Sequence, residues 1–265
     1  MVRMTQSVTP LRVRLGTIHA DRVSMPEALE RIEQLVRAGR GGYVVTPNVD
    51  HVVIAERDAR LREAYAAASL SLVDGTPLVW LARALGTPLP EKLSGSDLIR
   101  PLVRLAAERG LSVYLLGAAE GVASMAAERL VNENPSLHVA GIDSPPIGFD
   151  RDPDREDAVY SRLERARPDL VLVALGAPKQ ELLMYRWSLR GLGAVMLGIG
   201  AGLDFIAGTV VRAPRWVSSA GLEWLYRLSR EPRRLASRYL VRDPAIVPIA
   251  GRMLAGRLSG RADSR

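Results

Sequence analysis

A chain of 265 residues with 48% hydrophobic and 25% charged side chains can bury a sizeable core and does not have a disordered composition. It contains no cysteine, which excludes a disulfide framework, a thiolate nucleophile and a cysteine-ligated metal. Its three histidines, His19, His51 and His138, are too scattered to read as a zinc site. The net charge of +7 is local: from Thr209 onward there are 12 Arg against 4 acids, whereas residues 1–208 carry 24 basic and 25 acidic groups.

Such a basic tail suits anionic lipid, nucleic acid or a phosphorylated substrate, and charge alone does not choose among them. Single-strand nucleic-acid recognition would call for interleaved aromatics that the tail lacks. No signal-peptide pattern opens the chain, and no window approaches the roughly 18 uninterrupted apolar residues of a membrane span. The chain therefore reads as cytoplasmic and at most peripheral to a membrane.

Leu11 to His19 alternates as a strand would, and Ser24 with Glu27 forms a capping-box signature for a helix to about Arg37. Gly41 and Gly42 precede a short strand, Tyr43 to Thr46, which Pro47 ends. The side chains of Thr46 and Asn48 are thereby left in a turn. Val49 to Ala68 reads as one interrupted helix or two, with Asp58 as a cap, and Leu70 to Val73 as a buried strand that stops at Asp74-Gly75. A helix over Thr76 to Leu85 follows, then the connection GTPLPEKLSGSD, with Ser96 expected to cap a helix over Leu98 to Arg109.

Strands are expected at Ser112–Leu116, Leu137–Ile142, Leu170–Leu175 and Ala194–Leu197, with helices between them at Val122–Glu133, Arg155–Arg167 and from GAPKQE to Arg190. Alternation of this kind implies parallel pairing through right-handed crossovers. The predicted fold is α/β, a Rossmann-like, mostly parallel sheet flanked by helices over residues 1–208. A basic, helical C-terminal appendage ending in disorder is expected over 209–265. Ligands of such sheets gather at the carboxyl ends of the strands. Three glycine turns fall there: GAAEG from Gly117, GAPKQE, and GIGAGLDF, which contains Gly200 and Asp204. They suit phosphate, and a nucleotide-containing ligand is the natural guess.

Each motif also has a plainer reading. GAAEG lacks the G-x-G-x-x-G spacing of a dinucleotide site. Asp152-Pro153-Asp154 matches a D-x-D metal motif, yet the same residues make a cap and a turn. Asp74-Gly75 is a turn signal whatever else it does. Trp80, Trp187, Trp216 and Trp224 read as core or subunit contacts, and His51 as a satisfied structural histidine close enough to reach a site at Asn48.

Taken together, TPNVDHVVIAERD, LVDGTPLVWLARALG, LPEKLSGSDL, VYLLGAAEGVA, SPPIGF, PDLVLVALGAPKQE, GIGAGLDFIAGTVVRAP and GLEWLYRLSREPRRLASRYL resemble the WecG/TagA/CpsF family of bacterial glycosyltransferases. The resemblance runs from about Leu11 to Arg242, in order. It implies an inverting, metal-independent enzyme of cell-envelope polysaccharide synthesis that needs no cofactor. The implied donor is a UDP-sugar, typically UDP-N-acetylmannosamine or its uronic acid, and the implied acceptor a polyprenyl-diphosphate-linked N-acetylglucosamine.

By motif, Asp74 corresponds to the family's general base, and Thr46 and Asn48 to the polar residues flanking it. Gln180 and Asp204 correspond to residues of the donor pocket. The family's appendage contributes arginines and approaches the membrane; here the candidates are Arg227, Arg233, Arg234 and Arg238. One departure is Lys92, where the family often has arginine: lysine keeps the charge without the bidentate fork. The sequence leaves open a homo-oligomer in which the tail completes a neighbour's site, and also a non-catalytic UDP-sugar-binding protein or an NAD-type oxidoreductase.

Overall fold

A computed structural model describes residues 12–214, 217–218 and 221–259. Six strands, β3 (Gly42–Val45), β4 (Leu70–Ser71), β5 (Ser112–Gly117), β6 (His138–Asp143), β7 (Leu170–Ala174) and β8 (Val195–Gly198), form one sheet in the order β4-β3-β8-β7-β5-β6. Every pairing in it is parallel. The central strands β7 and β8 are buried throughout, as their unbroken apolar sequences LVLVA and VMLG require of strands covered on both faces. Side chains alternate between two cores: Val171 and Val173 of β7 enter one, Leu170, Leu172 and Ala174 the other.

Helices α1 (Met25–Ala38), α2 (Val49–Ala55), α3 (Ala59–Ala67), α4 (Thr76–Ala84), α5 (Gly95–Arg109), α6 (Val122–Glu133), α7 (Pro153–Ala166) and α8 (Lys179–Leu189) connect the strands, and α9 (Gly202–Ala207) follows the last of them. The capping box of α1 is present, Ser24 donating to Glu27 Oε2 from both N and Oγ at 2.7 Å. Trp187 of α8 is fully buried, meets Tyr160 edge-on at 5.7 Å and donates its Nε1–H to Glu156 at 3.0 Å. It is therefore a core residue, whereas Trp80 and Trp224 are exposed and Trp216 lies outside the described residues.

Three local expectations change. The alternating stretch near the N-terminus is an antiparallel hairpin, β1 (Arg12–Leu15) and β2 (Ile18–Asp21), separate from the main sheet; Leu11 lies outside the described residues. Helix α5 is capped by Ser94 rather than Ser96, because Asp97 stands three residues after Ser94. Ser94 Oγ accepts from Asp97 N at 3.2 Å and donates to Asp97 Oδ2 at 2.6 Å. Helix α7 begins at Pro153, earlier than expected, with Asp152 as its cap.

The appendage comprises α10 (Glu223–Arg230), α11 (Pro232–Ala236), a π-helical turn at Ser237–Arg242, a 3₁₀ turn at Asp243–Ala245 and α12 (Ile246–Leu258). Helix α12 falls within the span expected to be helical and begins just after Pro244. It docks through buried Ile249 and through Ile246, Ala250 and Met253 against the core that holds the hairpin, and Gly16 N donates to Met253 Sδ at 3.1 Å. Residues 260–265, where disorder was expected, lie outside the described residues. No described helix is long and apolar enough to cross a membrane.

Candidate active site

Strand β3 delivers Thr46, Pro47 and Asn48 to the carboxyl edge of the sheet, where the proline ends the strand and Asn48 caps α2. The cap is reciprocal: Asn48 N donates to His51 Nδ1 at 3.0 Å, and His51 N to Asn48 Oδ1 at 3.4 Å. The ladder between β3 and β4 continues past the strands, with Leu72 N donating to Val45 O and Asp74 N to Pro47 O, both at 2.8 Å. Backbone bonding thus fixes Asp74 beside the Asn48 turn.

Asn48, Asp74 and Thr76 form one wall of a cavity of about 280 Å³, and Glu223, Trp224, Arg227, Arg238, Tyr239 and Asp243 of the appendage form the other. Arg238 spans the two walls. Its Nη2 donates to Asn48 Oδ1 at 3.0 Å, and its Nε lies 3.4 Å from Asp50 Oδ2 and 3.7 Å from Asp243 Oδ2. Arg242 Nε takes the other oxygen of buried Asp50 at 3.2 Å. Arg227 Nε is buried with no hydrogen-bond partner among the described residues. The appendage closes over the site of its own chain.

Burial pushes the Asp74 carboxyl up to about 6; nearby Lys92 and Arg227 pull it down, and Glu223 and Asp97 push it further up. Asp243 is likewise raised to about 6, chiefly by burial. Lys92 is held between Asp97 Oδ2 at 3.5 Å and Glu223 Oε2 at 3.7 Å, so it ties the core to α10.

The family model described as "Glycosyl transferase WecG/TagA/CpsF family" matches residues 13–260. The chain belongs to the WecG/TagA/CpsF family. It is 32% identical over 195 residues, 74% of each chain, to the N-acetylglucosaminyldiphosphoundecaprenol N-acetyl-beta-D-mannosaminyltransferase of Bacillus spizizenii. It is 29% identical over 194 residues, 73% of each chain, to the protein of the same name from Bacillus subtilis. It is a glycosyltransferase.

In this glycosyltransferase the residues expected at the site fall into two groups. Asp74, Asn48, Arg227 and Arg238 meet at the cavity, and Lys92 reaches it through Glu223. Thr46, Gln180, Gly200, Asp204 and Gly117 lie along the same carboxyl edge of the sheet, but they are not among the described residues lining that cavity. Thr46 is buried and donates to Gly198 O at 3.2 Å, joining the ends of β3 and β8. Gln180, also buried, accepts from Gly200 N at 3.2 Å, so these two meet each other.

Asp204 sits in the first turn of α9, its backbone carbonyl accepting from Thr209 Oγ1 at 3.2 Å. Gly117 ends β5 with φ 104°, and a Cβ there would come within 2.4 Å of Ala174 O, so only glycine lets these strand ends approach. Arg233 is exposed away from the cavity, and the Arg234 side chain lies outside what is described.

Asp152 accepts from Arg155 N at 3.3 Å and pairs with Arg155 Nε at 3.0 Å, the geometry of a helix cap. Among the described residues no group of three or more His, Asp or Glu side chains is arranged to hold a metal. Motif spacing missed Asp50, Glu223, Tyr239 and Asp243. Asp50 was visible only as the acid two residues after Asn48, and the other three act through tail folding that no local pattern encodes.

Proposed function

We propose that this glycosyltransferase moves a sugar from a UDP-sugar to a polyprenyl-diphosphate-linked sugar with inversion, using Asp74 as general base. The observation carrying the reading is Asp74 in a cavity whose opposite wall holds Arg227 and Arg238. The sugar suggested by the relatives' names is N-acetylmannosamine, and the suggested acceptor an undecaprenyl-diphosphate N-acetylglucosamine.

In this mechanism the acceptor hydroxyl oxygen attacks the anomeric carbon while Asp74 takes its proton. The bond from that carbon to the UDP oxygen breaks on the opposite face. With its carboxyl near pH 6, Asp74 is about nine-tenths ionised at pH 7, and its raised value makes it a stronger base than an ordinary aspartate. Charge gathers on the departing β-phosphate, and fixed cations at that point lower the barrier. Arg227, whose Nε has no hydrogen-bond partner among the described residues, and Arg238 are suited to that task without a metal ion.

Peripheral attachment to the inner face of the cell membrane belongs to the same reading. Its support is that the appendage carries exposed apolar side chains, among them Leu225, Leu240, Val241 and Val247, together with its arginines.

A panel of UDP-sugars assayed against a lipid-diphosphate N-acetylglucosamine, with and without EDTA, tests the proposal. Transfer of N-acetylmannosamine with inverted anomeric configuration, undiminished by EDTA, is expected. Retention of configuration would remove Asp74 as base, strict dependence on added divalent cation would reinstate a metal, and UDP-sugar binding without transfer to any acceptor would mark a non-catalytic protein.

A further inference from the structure

A line of polar side chains runs from the Gly200 turn at the end of β8 to the Asn48 turn beside the cavity. At one end the Gly200 amide donates to Gln180 Oε1 at 3.2 Å. Gln180 Nε2 donates in turn to Glu181 Oε1 at 2.8 Å. His51 Nε2 lies 3.6 Å from that same oxygen, an electrostatic contact longer than a hydrogen bond. Because His51 Nδ1 accepts from Asn48 N, the ring's proton is on Nε2, facing Glu181. At the far end Asn48 Oδ1 accepts from Arg238.

The three internal members, His51, Gln180 and Glu181, are each at least 97% buried. Burying polar groups of this kind costs stability unless all are satisfied, and here they are not. His51 Nε2, Glu181 Oε2 and the neighbouring Tyr65 hydroxyl have no hydrogen-bond partner among the described residues. Burial pushes Glu181 up to about 7 and holds His51 at about 3, a neutral imidazole beside a carboxyl that surrenders its proton reluctantly. Apolar side chains of similar size would serve the core better. What the line does accomplish is to engage two backbone amides, those of Asn48 and Gly200, at two different strand ends.

We propose that His51 and Glu181 are positioning residues that hold the Asn48 turn, beside the base, in register with the Gly200 turn at the end of β8. Neither needs to touch substrate; Glu181 anchors Gln180 against the Gly200 amide, and His51 anchors Asn48 so that its carboxamide meets Arg238. The proposal rests on the transferase reading above for its kinetic consequence only.

Glu181→Met keeps the volume and removes the acceptor for Gln180, while Glu181→Gln keeps an acceptor oxygen at that point. Misplaced reacting groups cost about ten- to a hundredfold, so E181M is expected to lower kcat by at least about tenfold with KM for the donor little changed, and E181Q to recover most of it. Circular dichroism and thermal melting of each variant establish that it is folded. Hydrogen–deuterium exchange provides a readout that needs no activity: the Gly200 amide should lose about tenfold of its protection in E181M and retain it in E181Q.

His51→Asn, which keeps an acceptor near Nδ1 but cannot reach Glu181, supplies the same test if E181M does not fold, with a comparable fall in kcat expected. Equal impairment of E181M and E181Q, or folded E181M and H51N with wild-type kcat and wild-type Gly200 exchange, would overturn the proposal. Loss of Gly200 protection in E181M, alongside a wild-type protein that transfers no sugar, would instead overturn the transferase reading and leave the positioning pair standing.

Discussion

Replacing Asp74 by asparagine should make the protein more stable at neutral and alkaline pH. The carboxyl rises from 3.8 to about 6 on folding, so its ionised form is penalised in the folded state. A shift of about two units corresponds to about 3 kcal/mol, and solvent reaching the cavity wall reduces this to about 1–2 kcal/mol. A raised carboxyl contributes stability that is intact below the unfolded pKa and is lost as pH climbs through the folded one. The penalty is therefore small at about pH 4 and complete by about pH 8.

Asparagine has the same shape and no charge, so the variant should melt about 2–8 °C above wild type at about pH 8 and within about 2 °C of it at about pH 4. Asp243 and Glu181 also titrate within this range, but they are common to both proteins and cancel when the two are compared at one pH. Differential scanning calorimetry across the range measures the effect. A midpoint at pH 8 unchanged or lowered by the substitution, or a gain as large at pH 4, would refute the assignment of a partly buried, ionised and penalised carboxylate.

Three further outcomes follow from neighbouring contacts. Asp50→Asn should loosen the appendage, because both oxygens of this buried acid are engaged by Arg238 and Arg242; with the arginines partly exposed the cost is about 2 kcal/mol, seen as a lower melting point and faster proteolysis after Gly208. Glu223→Gln should move the acid limb of the kcat/KM profile to lower pH, since Glu223 raises Asp74, while Lys92→Met should move it higher, since Lys92 lowers it. Arg227→Met should lower kcat by about a hundredfold with little loss of stability, as its Nε has no described partner in the resting protein; a change in melting point with unaltered kcat would count against its role at the leaving phosphate.

Elements with continuous apolar runs were legible in the sequence because burial on both faces leaves no alternative, as for β7 and β8. Boundaries set by competing caps were less so. Ser94 and Ser96 differ only in which has an acid three residues on, and the hairpin needed the turn at Gly16 to be distinguished from a straight strand.

The turn bearing Asn48 and the acid three residues after β4 were readable from Pro47 and Asp74-Gly75, and the family resemblance supplied their task. That Asp74 would be raised was not readable, because its burial depends on the appendage arching back over the site. Helix α12 lies within the expected helical appendage, but its docking through Ile249 and Met253 was not readable from a local pattern broken by Gly and Pro. Gln180 and Thr46 were read as polar residues near a ligand, and their burial against Gly200 and Gly198 depends on a strand order that no single segment contains.

Asp74 as the base of sugar transfer is tested most directly by measuring turnover and donor affinity on the same Asp74→Asn protein. Isothermal titration with UDP and transfer to a lipid-diphosphate N-acetylglucosamine should show binding within about threefold of wild type and a rate reduced about 10²–10⁴-fold. A folded variant that binds UDP and transfers sugar at the wild-type rate would contradict the account.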